Sequence, residues 1–480
     1  MSRAATDIPL CVDLDGTLIK SDLLHESLLR LLRHRPWMAL RLPLWMAGGK
    51  TRLKSRLAAV LPEAATPPPQ REDLMDFLKS EQDSGRAVYL VTASHQAAVE
   101  QVSGVFPFDE VIASTDTLNL KGENKANLLV ERFGEKGFDY AGDSRADEAV
   151  WRRARKAIVV HRSARRIRQL EETFEVDRSF QPVGTTWRDW VKALRVHQWA
   201  KNLLIAVPFL VGHHYHAGWQ IAGLLTAFLS MSLCASGTYL WNDLLDLEYD
   251  RAHPRKRNRL AASGKTSIPR VVIASVAMVA AGLGTGFMLS PAFGLLLMGY
   301  IVATLSYSLH FKKVAIADIF LLAMLYLSRV IGGILISEAV VSFWLFNFTF
   351  LLFVSLAAAK RFVELKTVTD AGAGSIQGRG YRADDLSVVS QLGVASGVAS
   401  CIVLGLYSNS EQVTSLYQRP EWFWGICVVA FYWITRIWFI THRGEMHDDP
   451  VVFALKDPGT WVLGLIGIAC VLLAAPLPAS

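Results

Sequence analysis

Apolar residues are distributed very unevenly along the chain. The first 200 residues alternate short apolar runs with charged stretches, whereas residues 201–480 contain nine long apolar segments. A run of about 20 apolar residues is long enough to cross a bilayer as a helix. The nine segments lie near residues 202–217, 219–240, 271–289, 292–309, 317–336, 342–360, 386–407, 421–440 and 459–477. The pattern predicts a separate N-terminal domain followed by an all-α membrane bundle of about nine transmembrane helices.

Positive charge between these segments predicts their orientation. Lys and Arg residues fall in the second, fourth, sixth and eighth connections, and the opposite loops carry Arg419 alone. Because cytoplasmic loops are enriched in Lys and Arg, we expect a multi-pass protein of the inner (plasma) membrane with its N-terminal domain in the cytoplasm. The net charge of +7 suits an anionic leaflet, and we expect no nucleic-acid partner.

The N-terminal domain has the pattern of strands that alternate with helices. Short apolar runs near residues 10–12, 87–92 and 138–142 are each followed by polar residues and then by a helical stretch. This alternation predicts an α/β Rossmann-like fold with a parallel sheet, in which the carboxyl ends of the strands form the active site.

Polar side chains follow each of these runs. Carboxylates at neighbouring strand ends can share a Mg²⁺ ion, and a hydroxyl group and a lysine can then neutralise a phosphoryl group. In chain order, the candidates are Asp13, Asp15, Thr92, Lys125, Asp143 and Asp147.

The order of these motifs resembles the haloacid dehalogenase superfamily of phosphatases over about residues 7–160. The resemblance implies a helical cap, placed here in the insertion at residues 22–60. It makes Asp13 the nucleophile and Asp15 the general acid/base, with Lys121 as an alternative to Lys125 for phosphate binding. The implied phosphate-binding and metal-binding residues are Thr92, Lys125, Asp13, Asp15, Asp143 and Asp147.

Three segments follow from these patterns. They are a phosphatase-like domain over residues 1–160, a linker over 161–200 and a transmembrane domain over 201–480. Trp187 and Trp190 fall on one face of a helix within the linker, which predicts an amphipathic helix in the headgroup region. Basic and apolar residues also mix in the insertion at 22–60, which favours either an interfacial helix or an ordinary cap.

An acidic segment follows directly after the second apolar segment. The spacing of Asp243, Asp246 and Asp250 puts them on one face of a helix. A Mg²⁺ ion would remove their mutual repulsion and leave positions open for phosphate oxygens. Asn242 can fix the helix end or add an oxygen ligand. Further phosphate can be bound by the basic residues that follow, Lys256, Arg257 and Arg259.

More polar residues collect on the same side of the predicted bundle. Ionisable residues inside apolar spans are candidates for function, although lysines and arginines at helix ends can also extend to the headgroups. Asp318 and Arg329 lie inside otherwise apolar stretches, which helix-end positions do not explain. The candidate substrate-binding residues are Lys201, Tyr307, Lys312, Asp318, Arg329, Lys360, Arg361 and Tyr381.

The nine spans, with Asn-Asp-x-x-Asp-x-x-x-Asp after the second, resemble the UbiA superfamily of prenyltransferases. The connection after the sixth span departs from the usual second acidic motif, because it is led by Lys360 and Arg361. A basic connection suits phosphate groups that bind without metal. Motifs around Lys201, Tyr307 and Lys360 resemble the decaprenyl-phosphate phosphoribosyltransferase branch over about residues 190–477, with Arg259-Leu260 where Arg-Pro is usual.

This resemblance implies transfer of 5-phosphoribosyl from phosphoribosyl pyrophosphate to a polyprenyl (decaprenyl-type) phosphate, with Mg²⁺ held by Asp243, Asp246 and Asp250. The lipid phosphate is already an anion, so the attack needs no general base. The phosphatase-like domain would then hydrolyse the 5-phosphate. The alternatives are an aromatic prenyltransferase of quinone biosynthesis, or the same transferase with a non-catalytic docking domain. The sequence also allows a homo-oligomer.

Overall fold

The chain forms two compact units in the computed structural model. The first comprises Met1–Leu194 and Tyr239–Ser275, and the second comprises Arg195–Thr238 and Val276–Ser480. The acidic segment therefore groups with the N-terminal domain, although the predicted boundaries assign it to the transmembrane domain. The described residues are 8–61, 66–100, 106–116, 118–211, 218–337, 343–370, 372, 379–410, 417, 419–446 and 449–474.

A six-stranded sheet lies at the centre of the first unit, and its strand pairs are all parallel. The strands are β1 (Leu10–Val12), β2 (Val88–His95), β3 (Glu110–Ser114), β4 (Asp139–Gly142), β5 (Ala157–Val160) and β6 (Val176–Phe180). Their order is β3-β2-β1-β4-β5-β6. The carboxyl ends of β2, β1 and β4 thus lie side by side, and the α/β prediction is confirmed.

Helices and connections bury both faces of this sheet. Leu10 and Val12 of β1 belong to one apolar cluster, whereas Cys11 belongs to another. Alternate residues of a strand point to opposite faces, so an apolar run such as β1 is expected where both faces are covered. The helices are α1 (Leu23–His34), α2 (Leu42–Ala47), α3 (Gly49–Val60), α4 (Glu72–Asp83), α5 (Gln96–Val99), α6 (Glu123–Phe133), α7 (Glu148–Trp151), α8 (Ala164–Thr173) and α9 (Trp187–Ala193).

The insertion between β1 and β2 is helical, as the prediction of a cap requires. It contains α1, a 3₁₀ helix at Pro36–Arg41, α2 and α3. Asp22 begins α1 by accepting the N–H of Leu24 at 2.8 Å, the usual role of an N-cap carboxylate. Leu31, Trp45 and Leu57 form a separate small core.

The sheet extends beyond the predicted boundary at residue 160. Strand β6 pairs in parallel with β5 through Ile158 and Arg178, so residues up to 180 belong to the sheet rather than to a linker. The prediction ends the domain too early because β6 is a largely exposed edge strand without an apolar run. Helix α9 begins after Thr186, which caps it; its place at the headgroups stays a prediction.

The described residues that follow α9 are mainly helical. The helices are α10 (Ala206–Val211), α11 (Gly218–Leu245), α12 (Leu247–Ala252), α13 (Ile268–Leu289), α14 (Pro291–Leu309), α15 (Ala317–Ser337), α16 (Phe343–Asp370), α17 (Leu386–Ser408), α18 (Trp422–Arg443), α19 (Pro450–Lys456) and α20 (Pro458–Ala474).

Seven of these helices, α11 and α13 to α18, are long and apolar enough to cross a membrane, and α20 is a shorter apolar helix. The predicted helical membrane bundle is confirmed, and its span count of nine is approximate. The first predicted segment, near residues 202–217, does not form one long helix in its described part. Its described part is a 3₁₀ stretch at Val196–Ile205 followed by α10, and its remainder, residues 212–217, lies outside the described residues.

Small residues let α16, α17 and α18 approach closely within the second unit. A Cβ atom at Gly393 of α17 would overlap the ring of Trp438 and lie 2.8 Å from the Cβ of Ala358. The indole of Trp438 donates to the hydroxyl of Ser355 at 3.0 Å, so the ring is held in place. Close helix approach at small residues is a common means of packing in membranes.

The substitution Gly393→Ala should therefore destabilise the protein, because Trp438 cannot move without losing its hydrogen bond. Overpacking of this kind costs about 1–3 kcal/mol, which we expect to see as a lower Tm in detergent. The matched control is Gly405→Ala in the same helix, where a Cβ would meet no atom within 4 Å. An equal loss of Tm in both variants would contradict this account of the helix contact.

Candidate active sites

Lys125 and two carboxylates form a buried chain of hydrogen bonds at the carboxyl edge of the sheet. The Nζ of Lys125 donates to Asp13 Oδ1 at 2.9 Å and to the hydroxyl of Tyr140 at 2.7 Å. That hydroxyl donates to Asp147 Oδ1 at 2.9 Å. The structure thus brings together Asp13 after β1, Lys125 of α6 and Asp147 after β4. Tyr140 is a member that the sequence did not indicate.

Three carboxylates at this edge could hold a metal ion. Asp13, Asp143 and Asp147 each offer an oxygen, and these oxygens lie within 4.8 Å of one another. Asp147 Oδ2 also accepts from the N–H and hydroxyl of Ser144 at 2.9 and 2.7 Å, which fixes its orientation. A Cβ at Gly16 would overlap Asp143, and Gly16 has a φ of +77°, so only glycine fits this turn.

Asp15 lies outside that group of three in the described residues, which differs from its predicted role as a metal ligand. Its carboxylate accepts from the hydroxyl of Ser94 at 2.6 Å and from the N–H of Leu23 at 2.8 Å. These bonds orient Asp15 as an acid or base would require. Thr92 is fully buried, and its hydroxyl accepts from the N–H of Ser94 at 3.0 Å.

Burial governs the ionisation of these carboxyl groups. It raises the pKa of Asp13 to about 7 against the opposing charge of Lys125, and that of Asp15 to about 6. It raises the pKa of Asp143 to about 8, with Asp13 and Asp147 adding repulsion. A divalent cation would favour the charged forms and relieve this repulsion. The donor set therefore fits Mg²⁺.

The site opens into a cavity of about 600 Å³ within the first unit. Arg71 donates to the carbonyl of Gly16 at 2.8 Å, and Lys54 of the insertion donates to the carbonyl of Ala93 at 2.6 Å. Neither residue stands in a motif, so the sequence did not single them out. The basic residues on the wall near the carboxylates are Lys20, Lys54, Arg71, Lys121 and Lys125.

Adding Mg²⁺ to the full chain in detergent should raise its Tm, because a ligand that binds the folded state stabilises it. At a concentration tenfold above the Kd, the gain is about 1.4 kcal/mol. Asp143→Asn should reduce this gain, because it removes one of the three carboxylates that would hold the ion. The control is Asp83→Asn at an exposed position. A gain in Asp143→Asn equal to that of the unmodified chain would refute this metal site.

The acidic segment has a different geometry from the predicted single helix. Helix α11 ends at Leu245 and α12 begins at Leu247, with Asp246 between them. Arg259 bridges two of the carboxylates, with its Nη1 atom 2.9 Å from Asp243 Oδ1 and 2.7 Å from Asp250 Oδ2. Asp246 instead pairs with Arg33 of α1 at 3.4 Å. The three predicted carboxylates therefore do not form one group, because Asp246 forms an ion pair with Arg33 of the insertion.

The side-chain oxygen of Asn242 is buried and has no hydrogen-bond partner in the described residues. An unpartnered buried oxygen is costly, and a bound cation would satisfy it. Burial raises the pKa of Asp250 to about 6, although Arg259 opposes this. These donors fit Mg²⁺. Lys256 and Arg257, the other predicted phosphate ligands, are exposed.

Helix α1 of the insertion is joined to the acidic segment by further ion pairs. Arg251 makes two hydrogen bonds to Glu26, at 2.8 and 2.6 Å. The Nε atom of Arg30 lies 2.9 Å from Glu248 Oε1. Glu26 and Arg251 are both nearly inaccessible to solvent. No local sequence signal indicates these pairs, since more than 200 residues separate the partners.

In the second unit, Asp449 accepts hydrogen bonds from two lysines that the sequence predicts as substrate-binding residues. Lys201 and Lys360 each donate to Asp449 Oδ2 at 2.9 Å. The hydroxyl of Tyr326 donates to Oδ1 at 3.0 Å. Burial raises the pKa of Asp449, but Lys360 and Lys201 outweigh it and hold this pKa well below its usual range. Two ammonium groups are thus fixed side by side.

Arg361 is fully buried and surrounded by polar partners. Its Nε atom lies 2.5 Å from Asp318 Oδ2, and its Nη2 atom donates to Tyr307 at 2.9 Å. Tyr381 donates to Asp318, and Glu364 pairs with Arg361 at 2.5 Å. The structure brings these predicted residues together, but the contacts support a positioning role for Arg361 rather than phosphate binding.

Arg329 and Lys312 are the remaining two predicted cations of the second unit. Arg329 donates to Asn202 Oδ1 at 3.1 Å and to the hydroxyl of Tyr300 at 3.2 Å. Lys312 is half-buried in a short 3₁₀ helix at Phe311–Lys313. Arg329 of α15 also donates to the carbonyl of Leu325, and these polar partners explain how the helix accommodates a charge.

Two family models match separate parts of the chain. Residues 205–456 match the UbiA prenyltransferase family, which covers more than half of the sequence. The chain belongs to the UbiA prenyltransferase family. Residues 10–152 match the haloacid dehalogenase-like hydrolases, so this UbiA family member carries an additional N-terminal hydrolase-like domain and is a multi-pass membrane protein.

Three relatives illustrate what the chain is similar to. Uncharacterized protein y4nM of Sinorhizobium fredii is 38% identical over 96% of this chain and 89% of its own length. Nodulation protein NoeC of Azorhizobium caulinodans is 32% identical over 58% of this chain and 91% of its own length. The decaprenyl-phosphate phosphoribosyltransferase of Mycobacterium tuberculosis is 29% identical over 61% of this chain and 95% of its own length.

Proposed function

We propose that the chain transfers 5-phosphoribosyl from phosphoribosyl pyrophosphate to a polyprenyl (decaprenyl-type) phosphate and then removes the 5-phosphate. The observation that carries the transfer step is the pair of ammonium groups of Lys201 and Lys360, held together at Asp449. Such a pair suits a phosphate group that binds without metal. The similarity to decaprenyl-phosphate phosphoribosyltransferase over 61% of this chain supports the same assignment.

In the transfer step, an oxygen of the lipid phosphate forms a bond to C1 of the ribose. The bond from C1 to the pyrophosphate breaks, and its electron pair leaves with the pyrophosphate. Asp243, Asp250 and Asn242 would hold a Mg²⁺ ion, which neutralises charge on the leaving group. Within the second unit, Lys201 and Lys360 would bind oxygens of the polyprenyl phosphate. No residue needs to remove a proton.

In the hydrolysis step, a carboxylate oxygen of Asp13 attacks the phosphorus of the 5-phosphate. The bond to the ribose oxygen breaks, and Asp15 gives that oxygen a proton. Asp15 then takes a proton from a water molecule, and the oxygen of that water forms a bond to phosphorus. The bond between phosphorus and Asp13 breaks, which releases inorganic phosphate and restores the carboxylate. A pKa of about 6 for Asp15 suits both proton transfers. The bonds from Ser94 and Leu23 hold the carboxyl group of Asp15 in position.

The proposal places the N-terminal domain in the cytoplasm. The Lys and Arg residues in the connections of the membrane half predict the cytoplasmic side. Phosphoribosyl pyrophosphate, the polar donor, would be available there. Both reactions would then take place on the same side of the plasma membrane.

The substitution Asp243→Asn should lower the rate of ribosyl transfer at least a hundredfold. It removes a carboxylate that would hold the leaving pyrophosphate through Mg²⁺. The assay supplies labelled phosphoribosyl pyrophosphate, decaprenyl phosphate and Mg²⁺ to the full chain in detergent, and label is counted in the extracted lipid. Asp384→Asn, at an exposed acidic position, is the control. If no label enters lipid but a prenyl diphosphate reacts with an aromatic acid, the chain is instead an aromatic prenyltransferase.

The substitution Asp13→Asn should leave ribosyl transfer intact and prevent the release of inorganic phosphate. With ¹⁴C in the ribose and ³²P at its 5-position, the unmodified chain should yield lipid with ¹⁴C alone. The variant should yield lipid with both labels. Unchanged phosphate release from Asp13→Asn would show that the N-terminal domain is a docking module and not the phosphatase.

A further inference from the structure

One wall of the phosphatase cavity comes from the segment that follows the acidic motif. Ser267 and Arg270 line the same cavity as Asp13 and Asp143. All four residues belong to the first unit. Arg270 lies in the first turn of α13, a helix long enough to cross a membrane. The cavity wall therefore includes a residue that a membrane-spanning α13 would place at headgroup level.

This segment is held firmly against the N-terminal domain. The hydroxyl of Thr185 donates to the carbonyl of Lys265 at 2.8 Å. Gly264 has a φ of +67°, and a Cβ there would lie 2.5 Å from the Cβ of Lys20. Only glycine permits this close approach. The position of Arg270 at the cavity is thus built into the fold of the unit.

Arg162 and Arg270 bring two like charges to the same cavity. Arg162 follows β5, and its Nη2 atom donates to the carbonyl of Gly264 at 3.3 Å. Burial lowers the pKa of Arg162, and the charge of Arg270 lowers it further. The guanidinium of Arg270 makes no hydrogen bond or ion pair with the part of the chain that the structure describes. Two guanidinium groups in proximity favour an anion between them.

We propose that Arg162 and Arg270 form a second phosphate site in the phosphatase cavity. This inference rests on the proposed function: the substrate is a phosphomonoester whose ribose also carries a phosphodiester to a lipid. Its 5-phosphate lies at Asp13, and its phosphodiester binds the two arginines. The two arginines thereby set the specificity of the phosphatase, and they favour a lipid-linked substrate over free sugar phosphates.

The test compares two substrates on the full chain in phospholipid-free detergent. One is ribose 5-phosphate, and the other is a 5-phosphoribosyl 1-(alkyl phosphate) with a short chain. The measured quantity is the ratio of their kcat/KM values, taken from released phosphate. The variants Arg270→Gln and Arg162→Gln should lower this preference at least tenfold, mainly by raising KM for the diester, and Arg270→Lys should restore part of it.

The matched control is Arg165→Gln, which removes one charge from an exposed position of α8 and should leave the preference unchanged. An unchanged preference in Arg270→Gln would overturn the second site while leaving the proposed hydrolysis intact. A loss that appears only in anionic vesicles, and equally for both substrates, would assign the arginines to membrane headgroups. If the unmodified chain releases no phosphate from the diester substrate, the proposed hydrolysis itself fails.

Discussion

The ion pair between Arg251 and Glu26 is the interaction on which the first unit depends most. Both side chains are nearly inaccessible to solvent, and two hydrogen bonds join them. Removal of one member of a buried pair leaves an uncompensated charge and typically costs about 3–5 kcal/mol. The pair fixes α1 of the phosphatase insertion to the segment that carries Asp243 and Asp250. Arg30 and Arg33 of the same helix add ion pairs to Glu248 and Asp246.

This attachment gives a physical reason for finding both candidate sites in one chain. Asp246 forms an ion pair with Arg33, and Glu248 forms one with Arg30. Two acidic residues of the motif therefore stabilise the attachment. Asp243 and Asp250, which Arg259 bridges, and the buried oxygen of Asn242 are the other polar groups of the motif. The same segment continues to Arg270 in the phosphatase cavity. One stretch of chain thus contributes to both candidate sites.

Local patterns were sufficient where a residue's position follows from its own element. The motifs around Asp13 and Asp143 follow strands, and neighbouring parallel strands bring their carboxyl ends together. The sequence could therefore predict that group, and also the long apolar helices. It could not predict that Asp246 faces Arg33, or that Lys201 and Lys360 share Asp449. Those contacts join residues distant in sequence, and periodicity carries no information about them. The boundary at residue 160 failed for a related reason, since β6 is polar and its strand character comes from pairing.

The mass of the lipid made by the unmodified chain shows whether ribosyl transfer is followed by loss of the 5-phosphate. The full-length protein is given phosphoribosyl pyrophosphate, decaprenyl phosphate and Mg²⁺, and the extracted lipid is analysed by mass spectrometry. The account predicts a decaprenyl phosphate that carries ribose without a second phosphate. A lipid that keeps the 5-phosphate at every time point would contradict the consecutive hydrolysis, and the absence of any ribose-bearing lipid would contradict the transfer.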